Sequence, residues 1–310
     1  MPYQFESGES VPQAIRRIAA EQISGALESL SAQPAQRDEA VHDVRKRVKK
    51  LRALLRLIET GLGASFDSEN ARLRDIGQHL CHFRDAAAMI QTFDTLREKY
   101  AKDWPAGGLE TVRGGLLAHK TRGERQQNIK AALQAAAREL RAAKSRMKHW
   151  PLHEDGFPAI APGIERAFRR GRAAMAKAHH HPTPETFHAW RKRVKDHWYH
   201  VRLLNHLWPD VMNGYEQSLK RLEDTLGMDH NLNVLADRVK AEPGFFGAPG
   251  QIEALLKSLA HFQKELRQEA LSIGLRVYAD KPRAFVRRLA RWWAEMEQAD
   301  GRGSPLTIKP

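Results

Sequence analysis

The sequence predicts an all-α protein built as a duplicated helical bundle, and three observations predict it. Ala, Leu, Arg, Lys, Glu and Gln dominate nearly every long segment, and these are strong helix formers. Alternation of Val, Ile and Thr with period two, the mark of strands, is absent. A basic segment also occurs twice. Val41-His42-Asp43-Val44-Arg45-Lys46-Arg47-Val48-Lys49 returns 146 positions on as Phe187-His188-Ala189-Trp190-Arg191-Lys192-Arg193-Val194-Lys195. At the same offset Leu73, Ile76 and Leu80 align with Leu219, Leu222 and Leu226, and Arg84-Asp85 with His230-Asn231.

Breakers set the elements in order. Ser10-Val11-Pro12 opens a helix running to about Leu30, with a hydroxyl for the cap and proline in the first turn. Gln33-Pro34-Ala35-Gln36-Arg37-Asp38 separates it from the first basic helix, which Gly61-Leu62-Gly63 closes. Trp104-Pro105-Ala106-Gly107-Gly108 closes the one after next. His153 to Gly163, with Gly156, Pro158 and Pro162, marks the boundary between halves of about 10–155 and 160–299. Beyond it come a helix from about Ile164 to Ala178, a connector His179-His180-His181-Pro182-Thr183-Pro184 and the second basic helix, ending near Trp208-Pro209. A further helix leads to a loop from Glu242-Pro243-Gly244 to Pro249-Gly250, and the final helices end near Ala299.

Residues 301–310 form a flexible tail on this reading. With an offset of 142, His119, Arg122 and Arg125 align with His261, Lys264 and Arg267, and Trp150 with Trp292. The slip fits a shorter loop in the second half. Each half is expected to hold about four helices, and the short linker favours one body over residues 1–300.

The charge points to a class of partner. Against 37 Asp and Glu stand 51 Lys and Arg, a formal excess of +14. Such a field favours polyanions. The single Cys81 excludes an internal disulfide framework and a multi-Cys zinc site. Met1 to Ser10 lacks the apolar core of a signal peptide, and no apolar run is long enough to span a bilayer. A cytoplasmic protein without membrane insertion is the expectation.

On a 3.6-residue wheel, Val41, Val44, Val48, Leu51, Leu55 and Ile58 form one apolar stripe. One residue on, His42, Arg45, Lys49, Arg52 and Arg56 make a second stripe that is wholly basic, widened by Lys46, Arg47 and Lys50. At 1.5 Å rise per residue it extends about 20 Å. From Arg45 to Arg56 there is no acidic residue, although like charges at i,i+4 destabilise a helix. The stripe therefore reads as an anion-binding face. The second copy keeps His188, Arg191, Lys192, Lys195 and Arg202, with Phe187, Trp190, Val194, Val201 and Leu204 on its core side. Asp196 and Trp198 replace Lys50 and Arg52, so the first half is expected to bind more strongly. Arg72, Arg74, Arg84, Lys220, Arg221, His230, Arg122, Arg125, Lys264 and Arg267 are further candidate cations because they recur in both halves.

Signals for catalysis and metals are weak. His79 and His82 stand at i,i+3 on a helix, a pair expected on the surface or in the core rather than on a metal. HExxH, GxGxxG and a phosphate loop ending in Gly-Lys-Ser or Gly-Lys-Thr are all missing. Asp43 and Asp85 are isolated acids suited to orienting an arginine or capping a helix. No enzyme, no metal site and no cofactor is expected.

His42-x-x-Arg45-x-x-x-Lys49-Lys50-Leu51-Arg52, followed by Leu73-Arg74 and Arg84-Asp85, resembles the CHAD family, the conserved histidine α-helical domain. His188-x-x-Arg191-x-x-x-Lys195 is similar to its second half, and the resemblance covers about residues 10 to 297. It implies two four-helix bundles related by a pseudo-twofold, with a basic central groove that binds inorganic polyphosphate. His42, Arg45, Lys49, Lys50, Arg52, His188, Arg191 and Lys195 would line that groove. It further implies a stand-alone binding module, since the Glu-x-Glu-x-Lys strand of a fused triphosphate tunnel domain is missing, and association with polyphosphate granules. Rival expectations are a nucleic-acid-binding protein, for which only Trp198 and Tyr199 offer stacking platforms, and a phosphoanhydride hydrolase, which needs a carboxylate-bound metal. Docking of phosphorylated proteins suits the same charge.

Overall fold

Ser10 accepts the Gln13 amide at 3.3 Å while the Gln13 side chain takes the Ser10 amide at 2.9 Å, and this reciprocal cap opens α1 (Val11–Leu30). The computed structural model describes residues 3–6, 8–31, 37–80, 82–100, 102, 104, 108–126 and 129–301, with the side chains of all but 37, 82–86, 108–109 and 123–126. The expected tail at 302–310, Cys81 and most of the connector at 33–38 lie outside the described residues. Helices α2 (Arg37–Leu57), α3 (Glu59–Leu62), α4 (Ser65–His79), α5 (His82–Tyr100), α6 (Gly108–Gln126) and α7 (Ile129–Arg146) complete the first half. The second comprises α8 (Gly156–His180), α9 (Pro184–Leu203), α10 (Pro209–Ala241), α11 (Pro243–Phe246), α12 (Pro249–Val277) and α13 (Pro282–Ala299). Helices α9 to α13 all begin on proline, whose fixed φ suits the first turn and whose missing N–H costs nothing there. Among the described residues the fold is all-α.

Neighbours recur between the halves. Helix α1 packs on α2 and α7, as α8 packs on α9 and α13, and α2 rests on α4 as α9 rests on α10. The two basic helices also pack on each other. All of Val41, Val44, Val48, Leu51, Leu55 and Ile58 are buried, as are Phe187, Trp190, Val194, Val201 and Leu204. Both stripes enter one core, joined by Ile15, Leu73, Leu289 and Trp293. A second core sets Phe93 and Leu116 against Leu232, Val239 and Phe246. Each fully buried Leu or Phe contributes about 2 kcal/mol, and much of that gain requires both halves at once.

Four details depart from the expectation. The segment from Gly156 to Gly163 is the first two turns of α8 rather than a linker. Asp155 Oδ1 caps it, accepting from Gly156 N and from Val11 N, both at 2.7 Å, so one carboxylate starts α8 and α1 together. Pro158 falls in the first turn, where no donor is needed, and Pro162 costs one internal bond. The halves also exceed four helices each. The 33-residue α10 runs unbroken where α4 and α5 are separate. The loop at 242–250 contains the single-turn α11, anchored by the buried Phe246. Finally, Trp150 and Trp292 are not counterparts: Trp150 follows a 3-10 turn after α7, whereas Trp292 lies inside α13. No described helix is long and apolar enough to cross a membrane.

Candidate functional site

Where α2 crosses α9, the buried His200 donates Nε2–H to the Ala53 carbonyl at 2.8 Å. On one side of that crossing the basic side chains of α2 and α9 come together, with an acid of α10 among them. Arg45 and Lys49 come from α2, and Arg191 and Lys195 from α9. Glu223 of α10 lies buried below them, its Oε1 2.7 Å from Lys195 Nζ and 3.2 Å from Arg191 Nη2. Arg45 Nη1 donates to the Gly77 carbonyl at 2.7 Å, which fixes its head against α4. Gly227 clears a path for Arg191: a Cβ there would stand 3.2 Å from the guanidinium.

The charges in this cluster are crowded. Lys49 has exposed surface, but surrounding protein and then Lys195, Arg45 and Arg191 lower its ammonium to about 7. Burial also lowers Lys195, with Glu223 opposing. Burial alone would raise Glu223, and Lys195 and Arg191 hold it below the ordinary carboxylate range. Beyond Arg191, the rings of His188 and His230 meet with centroids 4.0 Å apart and planes tilted by 30°. Burial, then Lys192 and Arg191, lowers His188 to about 4. Burial, then His188, Arg191, Lys192 and Lys49, lowers His230 to about 3. Both imidazoles are therefore neutral near pH 7.

Lys50 stands on the flank of α2 beside the N-terminal segment. Its Nζ lies 5.1 Å from the centre of the Tyr3 ring, and Tyr3 Oη donates to the Lys50 carbonyl at 2.9 Å. Burial, followed by Arg202, Lys46 and Arg47, lowers this lysine to about 8. Arg202 pairs with Glu216 at 3.1 Å and, with Lys220, covers the Trp198 ring; Lys220 also pairs with Asp224.

The remaining candidates go elsewhere. Arg56 pairs with Asp196 at 2.9 Å, and Arg52 bonds Asn70 at 3.0 Å. Burial, then Arg56, lowers Arg52 to about 10. Arg74 pairs with Asp75 at 3.1 Å and Arg72 with Glu69 at 2.8 Å, whereas Arg221 pairs with Glu269 at 2.5 Å. Arg267 is held by Asp229 at 2.7 Å and lies over Phe187. Arg122 and Lys264 are exposed on α6 and α12, and His42 is exposed near the start of α2. The side chains of Arg84, Asp85, His82 and Arg125 lie outside the described residues. Asp43 does orient an arginine, bonding Arg47 at 2.6 Å and Ser29 at 2.7 Å.

One expectation needs revision. The first basic stripe does not act as one face, because Arg45 and Lys49 enter the cluster while Arg56 turns to Asp196. The second half supplies Arg191, Lys192 and Lys195, with the neutral His188 and His230 beside them. Trp198 and Tyr199 are buried and stacked on each other, with centroids 4.8 Å apart, and offer no platform to a base. Sequence reasoning missed Glu223, and a signal existed: with Asp229 it is one of two acids in a buried stripe that includes Leu219, Leu222 and Leu226. No group of three or more His, Cys, Asp or Glu suited to a metal occurs among the described residues.

The class these features define is an all-α protein in which two repeated basic helices cross and bring their cations together. The chain belongs to the CHAD domain family, whose model matches residues 18–240. It is similar in fold to the crystal structure of the CHAD domain from the plant Ricinus communis, with a TM-score of 0.59 and 17% identity over 89% of this chain and 94% of that one. PptA from Streptomyces chartreusis is also similar in fold, with a TM-score of 0.55 and 13% identity over 88% of this chain and 100% of that one. No curated protein matches the chain in sequence.

Proposed function

We propose that the cationic cluster binds inorganic polyphosphate and that the protein is a binding module rather than an enzyme. The observation that carries this reading is the convergence of Arg45, Lys49, Arg191 and Lys195 from two helices into one cluster. Glu223 pairs with two of these four cations, so the cluster keeps an excess of positive charge that an anion chain relieves. Lysine and arginine heads donate charge-assisted bonds to successive phosphoryl oxygens, and released counterions add affinity. The neutral His188 and His230 add donors that gain charge if the ligand's field raises their basicity. Membership of the CHAD family favours the same ligand, together with granule association in the cytoplasm.

Burial of Trp198 and Tyr199 favours polyphosphate over single-stranded nucleic acid, which binds through stacked bases as well as charge. Competition tests the choice: long-chain polyphosphate should resist displacement by single-stranded DNA or RNA at equal phosphate concentration, and ready displacement would sink the proposal. With about five phosphates neutralised, affinity should fall about a hundredfold between 50 and 200 mM salt. Phosphate release that requires magnesium and one Asp or Glu would instead make this an enzyme.

Affinity should also depend on pH in a defined direction. Above about 7 Lys49 is neutral in the free protein, and above about 8 so is Lys50. A bound polyanion favours the charged forms, so binding takes up protons and weakens as pH rises. Between pH 6 and 9 we expect a loss of roughly tenfold for each lysine engaged. Lys49→Arg keeps its charge throughout and should flatten the profile measured by titration calorimetry. An equally steep profile in that variant would remove Lys49 from the account.

A further inference from the structure

We propose that Glu223 is a built-in counter-anion: it holds Lys195 and Arg191 while the cationic cluster is empty, and an arriving phosphate chain takes both donors from it. This rests on the polyphosphate reading above and adds how the site keeps its charge and limits its affinity.

The repeat shows what is particular to this acid. Glu223 stands 146 positions after Gly77, the offset that also relates Leu73, Ile76 and Leu80 to Leu219, Leu222 and Leu226, and Arg45 to Arg191. In the first half Arg45 donates to the backbone carbonyl of Gly77 at 2.7 Å, where no side chain stands. In the second half the equivalent arginine meets a carboxylate. Arg191 Nε and Nη2 each lie 3.2 Å from Glu223 Oε1, and Lys195 Nζ lies 2.7 Å from the same oxygen. Among the described residues Arg45 and Lys49 have no carboxylate partner, so one half of the cluster carries its own anion and the other does not.

Burial gives the acid its role. Glu223 is 6% exposed, in the row of Leu219, Leu222 and Leu226 that enters the core. A carboxylate there stays ionised because cations hold it. The groups that face it are Lys195 and Arg191 of α9, Lys49 of α2 and Lys220 of α10, with the Tyr199 hydroxyl nearby. Of the other helices on α10, α12 sends Arg267 to Asp229 and Glu269 to Arg221, and α5 sends Asp94 to Arg113. Burial lowers both Lys49 and Lys195, and Glu223 opposes it in each case. The acid thus offers these heads what phosphoryl oxygens offer, an acceptor and negative charge, and keeps them protonated until a ligand arrives.

Titration calorimetry with tripolyphosphate at low salt tests this on wild type and on Glu223→Gln, whose amide oxygen keeps an acceptor for Lys195 and Arg191. Removing the charge should tighten binding about tenfold at pH 6, where the lysines carry most of their charge. The gain should shrink as pH rises, because lysines without Glu223 lose their protons earlier and binding must restore them. At pH 7 the variant should therefore take up more protons per ligand than wild type, read in buffers of different ionisation enthalpy. Equal or weaker binding by the variant at pH 6, with wild type binding well, overturns the counter-anion and leaves the polyphosphate reading standing. If wild type does not bind, or binds unchanged after Arg45→Gln with Lys49→Gln, that reading fails and this proposal with it. One measurement needs no substitution: the carbon-13 carboxyl signal of Glu223 in wild type should move as tripolyphosphate is added. A signal unmoved at saturation also overturns the proposal.

Discussion

Arg45→Glu together with Lys49→Glu should reduce polyphosphate affinity at least a hundredfold while leaving helicity near normal. The reason is the position of both residues in the same cluster, facing Arg191 and Lys195 across the α2–α9 crossing. Reversing two charges changes the local sum by four. Each contact between a phosphate and a charged donor is worth about 1.5–3 kcal/mol, so losing two exceeds the roughly 2.7 kcal/mol that a hundredfold represents. The fold tolerates the change for a stated reason. A carboxylate introduced at position 49 would approach Lys195 and Arg191 and relieve the repulsion that lowers the wild-type lysine. The loss of the Arg45 bond to the Gly77 carbonyl costs about 1 kcal/mol. Binding titration beside a circular dichroism melt checks both halves of the prediction, and unchanged affinity would show that α2 does not line the site.

The second large effect concerns stability. Gly163→Ala should destabilise the protein by roughly 3 kcal/mol or more, although alanine is the better helix former. Propensity favours alanine by about 1 kcal/mol. Against this, a Cβ at position 163 would stand 1.9 Å from the Leu57 carbonyl oxygen and 2.7 Å from its Cα. Those are backbone atoms and cannot turn aside, so α8 must move off α2. That movement opens the core shared by Leu57, Ile160 and Ile164, and imperfect packing of such residues costs several kcal/mol. Thermal unfolding measures it, and a melting temperature at or above wild type would disprove the close approach. By contrast, Gly214→Ala in α10 meets nothing within 4 Å and should be neutral or slightly stabilising.

Much of this molecule was legible in the chain. Helix starts were marked by Ser10-Val11-Pro12 and by prolines 184 and 209, because capping and proline geometry are local. The periodicity of Val41 to Ile58 and of Phe187 to Leu204 identified buried faces correctly, since a helix must turn its apolar stripe inward. Proline misled at positions 158 and 162: the first falls in the first turn that Asp155 caps, and the helix continues past the second at the cost of one bond. Nothing in the sequence near Leu80 explains why α4 and α5 are separate while α10 continues through Gly227.

The candidate site was legible in type more than in place. Arg45, Lys49, Arg191 and Lys195 carry the repeat and do come together. Arg56 carries the same stripe and goes elsewhere, because α2 crosses α9 and the stripe passes from one side of the crossing to the other. Arg267 matched a counterpart at a constant offset, yet Asp229 holds it. Such pairings depend on acids distant in the chain, such as Glu223, 32 residues after Arg191, and Asp196, 140 after Arg56.

By itself, then, the sequence determined what depends on neighbours within a few residues: helices, their buried faces, the repeat and the sign of the charge. Only the tertiary structure decided which cations share a surface. That choice is set by the angle and depth at which α2, α8 and α9 cross, and those follow from contacts such as Gly163 against Leu57 and His200 against Ala53. The repeated basic helix therefore supplied the charge, and the crossing divided it, with Arg45 and Lys49 beside Arg191 and Lys195 on one side and Arg56 on Asp196 on the other.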